Sequence, residues 1–145
     1  MKFLLYNIRY GTGKYLKQPL KHIRGYLGHS LNHVSRIGEF IKGYDPDIVG
    51  LVEVDLGSFR TEEKNQAELL GKITGNHCVF QYKYQKNSRY MKVPMVRKQG
   101  NALLSKTEIK SKKFHYLNNG MKKLVMEIET DSITVFLVHL ALGGK

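Results

Sequence analysis

Asp45-Pro46-Asp47-Ile48-Val49-Gly50-Leu51-Val52-Glu53-Val54 is the stretch that decides the fold class. Its first three residues read as a turn. The remainder is almost continuously apolar, the pattern of a strand covered on both faces, not of one alternating between core and water. Such a strand belongs at the centre of an α/β layer. The single charged residue in the run, Glu53, stands at its far end.

On the N-terminal side, Leu31, Val34, Ile37, Phe40 and Ile41 recur at helical spacing, with Ser30 or Asn32 available as a cap and Gly43 placed to end the helix. Earlier still, the apolar run from Phe3 to Ile8 stops at Gly11 and Gly13, as a buried strand does. The basic, glycine-rich segment from Ile8 to Ser30 has no clean period and reads as a surface loop. On the C-terminal side, a second helix is predicted from about Glu62 to Ile73, capped by Thr61 and ended by Gly75-Asn76. Beyond it the pattern becomes strand-like over Val79 to Tyr84, Asn101 to Ser105, Phe114 to Leu117, Leu124 to Thr130 and Ile133 to Leu140. Asn118-Asn119-Gly120 and Thr130-Asp131-Ser132 supply turns. The order β-α-β-α followed by strands predicts an α/β fold, with one mixed, mainly antiparallel sheet and the helices on one face.

The 145 residues suit one domain, and a composition of 41% hydrophobic and 25% charged residues excludes a disordered tail or a fibre. The longest apolar stretch, Ile133 to Leu142, falls short of the ~18 residues of a spanning helix, so no transmembrane segment is expected. Only three apolar residues open the chain before polar ones return, too few for a signal-peptide core, and a cytoplasmic protein is the simplest expectation. With Cys78 as the only cysteine, no internal disulfide can form.

The formal charge of +12 is segregated. Residues 1–38 contribute +7, residues 39–81 contribute −4, residues 82–123 contribute +11, and the remainder −2. The second basic block is interleaved with Tyr82, Tyr84, Tyr90 and Tyr116, as on a surface that binds phosphates.

Two polar residues end apolar strands, Asn7 and Glu53. If the two strands are neighbours, the Glu53 carboxylate and the Asn7 amide oxygen meet at one sheet edge. That pair suits Mg²⁺, which takes one or two carboxylates together with waters and substrate phosphate. His29 and His33 lie four apart, but Ser30 stands where a zinc-protease motif needs Glu and no third ligand is placed, so surface histidines are expected.

Tyr6-Asn7-Ile8-Arg9-Tyr10-Gly11, Asp45 to Val54, Gln99-Gly100-Asn101-Ala102-Leu103-Leu104-Ser105-Lys106 and Val135-Phe136-Leu137-Val138-His139-Leu140 follow one another in this order. In that order they resemble the endonuclease/exonuclease/phosphatase superfamily, the deoxyribonuclease-I-like proteins. The resemblance implies metal-dependent phosphoester hydrolysis, with Mg²⁺ or Mn²⁺ as cofactor and a phosphate ester, including nucleic acid, as substrate. It implies that Glu53 ligates the metal, that Asn7 belongs to the metal and phosphate site, and that His139 contacts the scissile phosphate. More weakly, it implies that Asn101 and Arg97, with Lys98, touch the substrate.

The superfamily fold is a four-layer α/β sandwich with two sheets face to face. Residues 1–145 correspond to its N-terminal half, ending before the Gly-Asp-Phe-Asn-like and Asp-His motifs that complete the site. The segment alone is therefore expected to be inactive or nearly so. It is also expected to supply about one of the two sheets, leaving an apolar face open to self-association. The alternative reading is a non-catalytic basic module that holds nucleic acid or anionic phosphate headgroups.

Overall fold

The computed structural model describes residues 1–12, 31–118 and 124–140. Strands β1 (Phe3–Asn7), β2 (Ile48–Asp55), β4 (Gln99–Ser105) and β3 (His77–Tyr82) form a four-stranded sheet in that spatial order. β1 runs parallel to β2, and the other pairs are antiparallel. Helix α1 (Leu31–Tyr44) lies between β1 and β2 in the chain, the crossover that a parallel pair requires. Helix α2 (Gln66–Thr74) leads into β3. The remaining strands, β5 (Ile109–Tyr116), β6 (Leu124–Thr130) and β7 (Thr134–Val138), make a separate antiparallel sheet.

Both faces of β2 are covered, as its apolar run predicts. On one side Val49, Leu51 and Val54 pack with Val34 and Ile41 of α1, Ala67 and Leu70 of α2, and Ala102 and Leu104 of β4. On the other, Ile48 and Val52 pack with Val79 and Leu103 and with Leu124, Met126, Ile128, Val135 and Leu137 of the second sheet. The layers are therefore helices, mixed sheet, antiparallel sheet. The helices cross closely at Gly38, where a Cβ would stand 2.6 Å from Ile73 Cγ2.

The α/β class, the element order and the helices on one face are as the sequence predicts. The single sheet is not: the strands after Ser105 fold back as a second one. The physical reason lies in β6, where buried Leu124, Met126 and Ile128 alternate with Val125, Glu127 and Glu129, a one-sided strand needing a partner layer. The inner face of the mixed sheet, expected to lie open, is covered within this chain over β2, β4 and β3, while Phe3 and Leu5 of β1 stay 50% and 59% exposed.

The helix ends also differ. α1 runs through Gly43, and Asp45 takes the left-handed position (φ 46°), donating its N–H to Ile41 O. α2 starts at Gln66 with Asn65 as its cap, while Thr61 closes a 3-10 turn, Phe59–Thr61, by donating its hydroxyl to Ser58 O. Gly75 ends α2 in the left-handed conformation, and Thr130-Asp131-Ser132 joins β6 to β7. Ser30, Asn119-Gly120 and most of the basic loop lie outside the described residues. Among the described residues, no helix is long and apolar enough to cross a membrane.

Candidate active site

Glu53 is turned out of β2 by a bulge. Leu51 pairs with Ala102 and Val54 with Gly100, so β2 carries one residue more than β4 across this step. Leu51 and Val54, three apart, consequently both face the helix-side core, which regular alternation forbids. Glu53 absorbs the irregularity with φ 57°, a left-handed conformation that costs a non-glycine residue about 1–2 kcal/mol. Strain of this kind persists where the surroundings over-determine it, and it gathers at functional sites.

Asn7 is the register partner of Val52, next to the bulge, and Ile8 N–H donates to Val52 O at 3.1 Å. The Asn7 side-chain oxygen accepts the Arg9 N–H at 3.0 Å. Arg9, Tyr10 and Gly11 then take three successive positive φ values, 47°, 57° and 67°.

A buried polar network holds both distortions. Gln66 Nε2 donates to Tyr10 O at 2.9 Å, and Gln66 Oε1 accepts the Asp55 N–H at 2.9 Å. The Tyr10 hydroxyl donates to Gln99 Oε1 at 3.0 Å. The Arg60 guanidinium, 5.0 Å from the centre of the Tyr10 ring, donates from Nη2 and Nε to Asp55 Oδ2 at 2.7 and 3.0 Å. Asp55, Arg60 and Gln66 are fully buried. Asp55 further accepts the N–H groups of Gly57 and Ser58 and the Ser58 hydroxyl, so the buried charge pair is saturated with donors.

His139 arrives from the other sheet. It follows the end of β7, and its Nε2 lies 3.8 Å from Glu53 Oε1, each side chain about 20% exposed. Asn101, 3% exposed, sits on β4 opposite the bulge and is paired with Gln81 of β3. Asn7, Glu53, Asn101 and His139 are therefore gathered at one end of the sandwich.

Arg97 is placed differently. It lies exposed on a 3-10 turn, Val96–Lys98, and lines a cleft of about 500 Å³ together with Lys98, Tyr82, Tyr84, Met91 and Tyr116. A second cleft, of about 460 Å³, opens beside Asn7 and is lined by Tyr6, Arg9, His33, Arg36 and Phe40. His33 is thus a cleft residue, and His29 lies outside the described residues. Each cleft draws its cations from one of the two basic blocks.

Among the described residues, no three His, Cys, Asp or Glu side chains converge on one point. The donor set at the bulge is one carboxylate, Glu53, and the side-chain amide of Asn7 beside it. These hard oxygen donors fit a cation that keeps most of its waters, and they do not form a zinc cage.

A family model described as the endonuclease/exonuclease/phosphatase family matches residues 4–140. The chain belongs to this family. No curated protein matches it significantly. Among solved structures, an endonuclease/exonuclease/phosphatase family protein from Leptotrichia buccalis C-1013-b is 13% identical with a TM-score of 0.59, over 98% of this chain and 55% of that one. An endonuclease/exonuclease/phosphatase from Beutenbergia cavernae DSM 12333 is 17% identical with a TM-score of 0.63, over 99% and 39%. ANGEL2, a 2',3'-cyclic phosphatase, is 18% identical with a TM-score of 0.59, over 98% and 41%. At these identities the likeness concerns the fold, a partial deoxyribonuclease-I-like architecture. The chain spans about half the length of the first of these family members, and less of the other two.

Sequence reasoning missed two parts of the candidate site, the Asp55–Arg60–Gln66 network and the cleft beside Asn7. Arg60 carried a signal, being one of only four basic residues in the acidic segment 39–81, with Asp55 closing the apolar strand. The cleft had none, because it joins β1 to a helix face far along the chain.

Proposed function

We propose that residues 1–145 form the N-terminal half of a metal-dependent phosphoesterase domain, a nuclease or phosphatase hydrolysing phosphodiester or phosphomonoester bonds. The family supports phosphoester chemistry in general, and a 2',3'-cyclic phosphatase is among the proteins sharing the fold. The observation that carries the reading is the approach of His139 Nε2 to Glu53 Oε1 at a strained bulge.

Glu53 and Asn7 would hold Mg²⁺ or Mn²⁺, and the cation would neutralise charge on phosphate oxygens. The Arg9 N–H donating to the Asn7 side-chain oxygen steadies that amide, and the oxygen's second lone pair is the one that would face the cation. His139 donates a hydrogen bond to the phosphate as negative charge develops there. Asn101 and Arg97 contact the substrate on the β3 side. Groups that orient the attacking water are not supplied by these residues, so the segment by itself is inactive or nearly so.

Mn²⁺ binding followed by electron paramagnetic resonance tests the reading without requiring turnover. One bound Mn²⁺ is expected for the wild-type chain and none for Glu53→Gln. Equal binding by both proteins overturns it. The two cation-lined clefts favour the second reading, a basic module for nucleic acid or anionic headgroups. In that case binding survives Glu53→Gln and falls steeply with salt.

A further inference from the structure

The cleft around Tyr84 is unlike a site that holds phosphate alone. Among the described residues that line it are three cations, Lys86, Arg97 and Lys98, and no carboxylate, and its walls are Tyr84, Met91 and Tyr116. Those walls are braced. The Tyr116 hydroxyl donates to Tyr82 O at 2.7 Å, fixing the ring across the gap between the two sheets. Tyr84 packs against Tyr90 with ring centres 4.6 Å apart, and Lys83 Nζ lies 5.3 Å from the centre of the Tyr84 ring. Burial holds the Tyr116 phenol above its ordinary range, so it stays neutral. A volume of about 500 Å³ falls within the roughly 300–1,000 Å³ of ligand clefts.

An anionic headgroup needs cations but no flat apolar walls. A preformed slot with aromatic and thioether sides and a cationic rim suits a planar ring attached to phosphates, and the amides of Gln81 and Gln85 add donors and acceptors for its edge. Gln81, which lines the slot, is the register partner of Asn101, and Asn101 lies opposite the bulge. From Glu53 on β2, through Asn101 on β4, to Gln81 on β3 is two strand spacings, about 10 Å.

We infer that this cleft holds an unpaired nucleobase of a single-stranded nucleic acid, one nucleotide away from the phosphate that Glu53 and His139 address. The base-holding role stands on the cleft itself, and only its position relative to the reacting phosphate rests on the phosphoesterase reading. The three cations then follow the backbone of the strand, and the rings select for the presence of a base and not for its sequence.

Fluorescence anisotropy with the full chain tests this, using a labelled ten-nucleotide strand and an abasic strand of equal length and charge, in EDTA. The intact strand is expected to bind about tenfold more tightly than the abasic one. Tyr84→Ala and, independently, Met91→Ala should remove that preference while leaving the abasic affinity unchanged. Arg97→Ala, at an exposed position, should weaken both strands alike and reduce the salt slope by about one. Equal binding of the two strands by the wild-type chain overturns the inference, as does loss of both affinities together in folded Tyr84→Ala and Met91→Ala. Because no metal is present, a base preference alongside absent Mn²⁺ binding upholds the cleft and refutes the metal site. The converse result does the reverse.

Discussion

His139 and Glu53 come from different sheets and meet at 3.8 Å between Nε2 and Oε1. The contact is possible because each residue sits where its strand stops being regular, Glu53 in the bulge of β2 and His139 just past the end of β7. Neither side chain is committed to the core, and each keeps about a fifth of its surface in contact with water.

The left-handed backbone at Glu53 gives a prediction that separates function from stability. Glycine adopts φ 57° without steric cost, so Glu53→Gly should leave the stability read from urea unfolding unchanged or raise it by up to about 1 kcal/mol, while Mn²⁺ binding disappears. Glu53→Val, β-branched at the same position, should lower stability by about 1–2 kcal/mol. A lower midpoint for the glycine variant than for valine would show that the bulge is not strained.

Removing one member of the buried Asp55–Arg60 pair leaves the other charged and uncompensated. Arg60→Ala or Asp55→Ala should cost about 3–5 kcal/mol, a large share of the 5–15 kcal/mol typical of a domain. Urea unfolding followed by circular dichroism reads the loss directly. A change below about 1 kcal/mol would mean that the network does not hold the bulge and the Tyr10 turn in place.

Burial pushes the Cys78 thiol up to about 12 from an ordinary 9.0, with the Glu68 charge adding to the effect. The neutral thiol is the favoured form in the fold, so its contribution is complete below pH 9 and is lost as pH rises from about 9 towards about 12. At pH 8, Cys78 should react with a thiol reagent far more slowly in the native chain than in urea. Comparable rates in the two states would place the thiol in a site open to solvent.

Apolar surface remains exposed along one seam. Leu5 of β1 is 59% exposed and Leu140, past the end of β7, is also 59% exposed. Leu5 and Leu137 come together where a Cβ on Gly50 would lie 3.2 and 3.0 Å from their Cδ1 atoms, so β1 and β7, the edge strands among the described residues, lie on the same side of the sandwich. Unpaired strand edges flanked by apolar side chains invite pairing with another chain. Light scattering should therefore show association that grows with concentration, and Leu5→Lys with Leu140→Lys should suppress it. A monomer at all concentrations would show that the seam is not a binding surface.

The sequence alone determined the order of elements, the double-sided burial of β2, the family, and the placing of Asn7 at a strand end. These are local or short-period properties: an apolar run, a helical spacing and a glycine after α2 are legible because neighbouring residues carry them. Glu53, expected at the end of its strand, stands inside β2, which continues to Asp55. Only the tertiary structure decided that the later strands form a second sheet, that β2 carries an extra residue at Glu53, and that His139 faces it. A period-2 pattern assigns side chains to faces only until one inserted residue reverses the assignment, and β2, apolar on both faces, gives no sign of where that happens. The Asp55–Arg60 network and the slot at Tyr84 were hidden for a related reason. Asp55, Arg60 and Gln66 are near one another in the chain, but their buried setting is completed by Tyr10 and Gln99 from distant segments, and the slot is completed by Tyr116 of the second sheet.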